Sequence, residues 1–366
     1  MTGARLACCA AVFALMALSN AVVPVLDTLA GRAELQGLIF SGYFFGAMVA
    51  VLPAGLASDR YGRLRLMQLG IAGSCASGLA IAFLSSAPLI AALRMAEGIA
   101  TGFFVSAALA YVNGRQDGGR LSGLFMASLN AGLLVGLAGT GVLVQATGMT
   151  AAGVVVFTAL AAGCLPLVRG RGAPSGPTGI DPLPRLVPVL TRYRWLFWAT
   201  VVMFGAGGAV TGLYPGFSTA DPDLLGVQIA LQNVATIAAI LVVSRVSADP
   251  VRVIRWSALL MAAAVGLSFS TPLGFVAIGA AGGAVQIAQL AFLARTGEPQ
   301  GVVVGLFNTA AYGGMALLPV VAAVAAEAAG YAVAFALVVL ASLTVVATIH
   351  RCTRCSAAGI LAAPAS

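Results

Sequence analysis

Apolar runs of about twenty residues recur twelve times along this chain, and that recurrence dictates a bundle of membrane-spanning helices. The runs cover 5–27, 36–57, 66–84, 87–111, 121–145 and 150–168, then 195–217, 224–246, 253–270, 272–294, 301–325 and 330–350. The surface chemistry agrees. Only 8% of the 366 residues are charged against 60% hydrophobic, and mean hydropathy is +1.03. A water-soluble domain carries about 25% charged residues, so too few charges exist to clothe a soluble fold. The 45 glycines suit close helix packing in lipid. Residues from Arg5 to Asn20 resemble a signal peptide, but the apolar run continues through Val23 and Val25 and reads as a first spanning helix.

The longest polar stretch, 169–194, holds Pro174, Pro177, Pro182, Pro184 and Pro188 and reads as an irregular linker. It divides the chain into six spans over 1–168, six over 195–350, and a tail over 351–366. The halves look duplicated. Gly123-Leu124-Phe125 opens the fifth span and Gly305-Leu306-Phe307 the eleventh, each followed 25 positions later by a glycine, Gly148 or Gly330.

All 19 basic residues are arginine. They sit in short gaps between apolar runs rather than along one face, which argues against nucleic acid and for topology signals. With a cytoplasmic N-terminus, 17 of the 19 face inside; only Arg32 falls outside and Arg94 lies within a span. One miscounted span would flip every later loop, so the bias supports an even count with both termini cytoplasmic, in the cell membrane.

The second and third spans are joined by Gly55-Leu56-Ala57-Ser58-Asp59-Arg60-Tyr61-Gly62-Arg63-Leu64-Arg65. Gly62 permits the turn, and Asp59 is placed to accept charge-assisted bonds. This order resembles the G-x-x-x-D-R-x-G-R-R signature of the major facilitator superfamily, matched at Gly55, Asp59, Arg60, Gly62 and Arg63; Leu64 departs from it, with Arg65 one place later. In the fourth span, Arg94-Met95-Ala96-Glu97-Gly98 is similar to the family's R-x-x-Q-G, with Glu97 in place of glutamine. Gly132, Gly136, Gly139 and Gly141 resemble an exchanger motif only defectively, since Leu137 replaces its proline and Thr140 a glycine; they read as packing positions. The loop matching the first signature in the second half has lost the order.

The resemblance implies an all-α fold of twelve transmembrane helices in two pseudo-symmetric six-helix bundles, working as a monomer. It implies a conformational latch at Gly55, Asp59, Arg60, Gly62 and Arg63, and proton coupling through Arg94. Charged groups within a span are costly unless paired, and are functional candidates by default. Arg94 and Glu97 are therefore coupling candidates, with Asp27 at the membrane edge; the alternative for Arg94 and Glu97 is a structural ion pair. The resemblance places a solute near the bilayer midplane, where Asn20, Tyr214, Gln228, Gln232, Gln286, Gln289, Asn308 and Tyr312 offer amides and hydroxyls. That set leans towards a small neutral or weakly charged organic solute, moved by secondary active transport with a proton as the first driving ion. Facilitated diffusion and a non-transporting receptor are the alternatives.

No enzyme, cofactor or metal site is expected. His350 is the single histidine, a Walker loop cannot exist without lysine, and Cys352-x-x-Cys355 lacks a second ligand pair.

Overall fold

The computed structural model describes residues 3–113, 118–168, 183–246, 248–296, 298 and 300–352, and among these the chain is helical with no strand. The first six long helices are α1 (Gly3–Asn20), α2 (Ala33–Tyr61), α3 (Arg63–Phe83), α4 (Ala87–Asn113), α5 (Gly118–Thr147) and α6 (Ala152–Cys164). The second six are α7 (Arg194–Phe217), α8 (Pro222–Val243), α9 (Pro250–Ser268), α10 (Gly274–Ala294), α11 (Gln300–Ala329) and α12 (Tyr331–Thr348). Among the described residues eleven helices are long and apolar enough to cross a membrane, and α6 is a shorter apolar helix. Pro166 explains the shortness: it has no N–H to continue the ladder, and the chain beyond Cys164 turns through Leu167 N–H and Val168 N–H, both donating to the Cys164 carbonyl.

Two expectations are corrected. The first span is not one helix, because α1 stops at Asn20 and is followed by a 3-10 turn, Val23–Val25, and a helical turn, Leu26–Leu29. Pro24 is the cause, since its missing N–H breaks the ladder. The linker is not irregular throughout, because Leu183–Arg192 is helical. Pro184 sits in its first turn, where a lost N–H costs little. Near its end Thr191 donates to the carbonyls of Val187 and Pro188.

The chain forms two compact units, one of residues 1–179 with 211–233, the other of 180–210 with 234–366. Lipid supplies no hydrophobic force between helices, so contact depends on backbones approaching closely at small residues. In the first unit α2 crosses α4 at Gly42, Gly46 and Gly98; a Cβ on Gly98 would overlap the Tyr43 carbonyl, and one on Gly46 the Met95 carbonyl. Gly132 and Gly136 of α5 meet the carbonyls of Phe13 and Ala17 on α1 in the same way, which is the packing role read from the sequence. In the second unit Gly205 and Gly314 join α7 to α11, and Gly283 joins α10 to α8. The pairs one–five and two–four thus recur as seven–eleven and eight–ten.

The duplication extends to the turns. Both α5 and α11 are 30 residues long, and each ends at a glycine of positive φ, Gly148 at +69° and Gly330 at +88°. No Cβ contact would oppose a side chain at Gly330, so its requirement is purely backbone. Gly330→Ala is therefore expected to destabilise the protein by about 1–3 kcal/mol. Gly163→Ala, on α6 with equally open space, should stabilise by up to about 1 kcal/mol. Thermal unfolding of the purified variants checks both, and equal shifts would contradict the backbone argument.

Candidate functional site

The most unusual chemistry in the first unit is a pair of opposite charges inside α4. Arg94 and Glu97 are 2% and 1% exposed, whereas charged residues almost never bury fully unless paired. They lie three residues apart on one helix face, and the Arg94 guanidinium donates to Glu97 Oε2 at 2.6 Å. Its other terminal nitrogen donates to the Ser19 carbonyl at 2.8 Å. That acceptor exists because α1 stops one residue later, and the last carbonyls of a helix have no partner within it. The guanidinium also lies 4.7 Å from the centre of the Tyr43 ring on α2, within cation–π range. Arg94 thereby ties α1, α2 and α4 together at one point.

The pair is not fully satisfied. Glu97 Oε1 and Arg94 Nε are buried without a hydrogen-bond partner. One turn further along α4, Thr101 shares a 3.0 Å hydrogen bond with Ser74 of α3. Glu97 therefore has one oxygen committed to arginine and one available to a proton.

The polar candidates divide between the units. In the first, Asn20 donates to the Leu133 carbonyl of α5 at 3.2 Å, Gln232 accepts from Thr211 at 3.2 Å, and Tyr214 is buried on α7. Gln228 is half-buried on α8 with an unpartnered Oε1. In the second, Gln286, Asn308 and Tyr312 are half-buried on α10 and α11. Gln289 is fully buried on α10, with neither amide atom hydrogen-bonded. Asp27 is exposed on the turn Leu26–Leu29, unlike the buried pair on α4. In the latch loop, α2 ends at Tyr61, Gly62 turns the chain at φ +93° and Arg63 opens α3. The side chains of Asp59 and Arg60, and the surroundings of Gly55, lie outside the described residues.

The profile of the Major Facilitator Superfamily matches residues 6–220, more than half of the chain. The chain belongs to the Major Facilitator Superfamily. Solved structures of superfamily fold support the assignment over nearly the whole length. The nucleoside transporter NupG shares 12% identity at a TM-score of 0.78, covering 95% of this chain and 99% of that one. A bacterial homologue of the human lysosomal transporter Spinster, inward-facing and occupied, shares 13% at 0.77, covering 96% of each chain. A D-xylose–proton symporter shares 14% at 0.70, covering 94% of this chain and 96% of its own. No curated protein sequence matches significantly. As a member of the superfamily the chain is a multi-pass membrane transporter, with twelve helices in two related bundles.

Superfamily signatures point to Arg94 and Glu97 but not to their partners. Ser19 contributes only a backbone carbonyl, which no side-chain pattern reveals; Pro24, five residues on, was the available signal. Tyr43 reaches Arg94 through the α2–α4 crossing, which no side-chain pattern in the sequence reveals. Two predictions follow from this geometry. Removing one partner of a buried pair typically costs about 3–5 kcal/mol, whereas replacing both with apolar residues is far milder. Arg94→Leu is thus expected to lower thermal stability sharply, and Arg94→Leu with Glu97→Leu to recover most of the loss; an additive double-variant cycle would contradict the pairing. Gln289→Leu removes two unsatisfied buried atoms and should raise stability by about 1–3 kcal/mol, read by the same unfolding assay.

Proposed function

We propose that the protein is a proton-coupled secondary transporter of a small, neutral or weakly charged organic solute, working by alternating access in the cytoplasmic membrane. The single observation that carries this reading is the buried, half-satisfied Arg94–Glu97 pair, set inside a membrane transporter at a point joining three helices. A bare ion pair in hydrocarbon is expensive, and ionisable groups inside a span mark ion pathways more often than scaffolding.

The chemistry is direct. A proton arriving at Glu97 Oε1 neutralises the carboxylate and removes its charge attraction for Arg94. The bond to Oε2 then falls from a charge-assisted to a neutral one, and the guanidinium leans more on the Ser19 carbonyl and the Tyr43 ring. Proton occupancy thereby changes how firmly α4 holds the broken end of α1. A ligand acts on a conformational equilibrium only through such a differential interaction. Gly55, Asp59, Arg60, Gly62 and Arg63 would form the cytoplasmic latch, with both termini on the arginine-rich, cytoplasmic side. Asp27, exposed at the opposite edge, is the weaker coupling candidate.

The solute class follows from the polar inventory. Asn20, Tyr214, Gln228, Gln232, Gln286, Gln289, Asn308 and Tyr312 supply donors and acceptors without net charge, matching a hydroxyl-rich solute. Nucleosides and D-xylose, named for two of the structurally similar transporters, have that chemistry.

The test uses proteoliposomes loaded with candidate nucleosides and pentoses, with and without an imposed pH gradient. The wild type should accumulate one of them along the gradient. Glu97→Gln, which keeps the shape but carries no titratable proton, should retain solute exchange at zero gradient while losing accumulation at least tenfold. Full accumulation by Glu97→Gln would make the pair a packing device. Flux indifferent to pH in the wild type would overturn proton coupling and favour facilitated diffusion, and binding without flux would favour a receptor.

A further inference from the structure

One arginine of the loop is left over by the proposed latch. The superfamily order ends in two adjacent arginines, whereas here Leu64 follows Arg63 and the second arginine comes at Arg65. One position along a helix is a rotation of about 100°, and it changes the surroundings completely. Leu64 is buried against the first unit's core, while Arg65 is exposed and makes no hydrogen bond or ion pair with any described residue. It lines a groove of about 550 Å³ with Gln68, Leu69 and Ala72 of α3 and Leu165 and Pro166 at the end of α6.

The groove has a graded polarity. Arg65, Gln68, Leu69 and Ala72 stand at i, i+3, i+4 and i+7 on one face of α3. At 1.5 Å per residue, Ala72 lies about 10 Å along the helix axis from Arg65. The guanidinium therefore sits at the first turn of the helix, and the wall becomes apolar with depth. Leu69 is 64% exposed and Leu167, just beyond Pro166, is 55% exposed; on a membrane-spanning bundle such surface meets hydrocarbon. Among the described residues no carboxylate lines the groove, so its single charge is uncompensated. Gln68 commits its amide nitrogen to the Val168 carbonyl at 2.8 Å, which pins the end of α6 and leaves its own oxygen as an acceptor.

We propose that this groove binds one acidic phospholipid with a hydroxyl-bearing headgroup, of the phosphatidylglycerol class. The lipid phosphate pairs with Arg65, a headgroup hydroxyl donates to Gln68, and an acyl chain runs along Leu69 and Ala72. Basic pockets between transmembrane helices at the cytoplasmic face recognise acidic headgroups in this way. A choline headgroup offers no hydroxyl to Gln68 and carries a cation towards Arg65, so phosphatidylcholine is discriminated against.

The test is native mass spectrometry of the purified full-length protein, titrated with phosphatidylglycerol and with phosphatidylcholine of identical chains. The expected result is one phosphatidylglycerol retained in preference to phosphatidylcholine. Arg65→Gln should weaken that binding about fivefold, the effect of one interfacial arginine, and Ala72→Trp should block it by filling the apolar wall. Arg255→Gln, an exposed arginine on α9, should leave it unchanged. Equal retention of both lipids, or binding indifferent to Arg65→Gln and Ala72→Trp, would overturn the site. Binding that emerges only after truncation at residue 352 would overturn it in favour of the chain's own tail. Displacement by free glycerol phosphate at equal concentration would show an anion site without lipid recognition, and would overturn it as well.

Discussion

Two helices in a bilayer gain nothing by hiding apolar surface from each other, so this fold depends on how closely their backbones approach. The crossing of α2 and α4 meets that requirement with glycine on both sides, Gly42 and Gly46 facing the carbonyls of Ala91 and Met95, and Gly98 facing that of Tyr43. A methyl group at Gly98 would push the helices apart by displacing backbone rather than a flexible side chain. The same crossing sets the Tyr43 ring against Arg94. Close packing and charge placement are therefore one feature here, since a wider crossing would leave the guanidinium without its aromatic face.

Arg94 is the point where packing becomes chemistry. It reaches a carboxylate on its own helix, a carbonyl at the broken end of α1, and a ring on α2. Burial raises the stakes for each contact, because an unpaired charge at this depth has no water to fall back on. Among the three partners only the Glu97 carboxylate can lose its charge by taking up a proton. In the proposed coupling, a proton would weaken that one contact while the other two hold the side chain in place.

Much of this was legible in the chain, for identifiable reasons. Hydropathy exposes spans because each run is long, and the positive-φ glycines Gly62, Gly148 and Gly330 stood out at turns or at repeated spacing. The break after Asn20 was hidden because the apolar run continues through Val25, and hydropathy does not see a ladder end. The Ser19 carbonyl and the Tyr43 ring were hidden because their roles come from where helices cross. The hydrogen bond from Asn20 to the Leu133 carbonyl of a neighbouring helix was hidden in the same way. Gln289 could be named from sequence, but its lack of any partner could only emerge from packing.

The duplicated halves have kept their packing and parted in their chemistry. Helix pairs one–five and two–four reappear as seven–eleven and eight–ten, down to glycine against carbonyl. Yet α4 carries Arg94 and Glu97 within its length, whereas its mate α10, Gly274–Ala294, carries no charged residue. Among the described residues, the fully buried polar side chains of the second unit are Thr200, Ser257, Ser268, Gln289 and Ser342, none of them charged. Thr200, Ser268 and Ser342 return their hydroxyl protons to carbonyls of their own helices. Gln289 has no such outlet, and an amide buried without partners is costly. On the function proposed above, a proton would be the ligand of the first half and a solute that of the second, carried on one shared frame. Their coupling then requires only that each occupancy favour the same rearrangement.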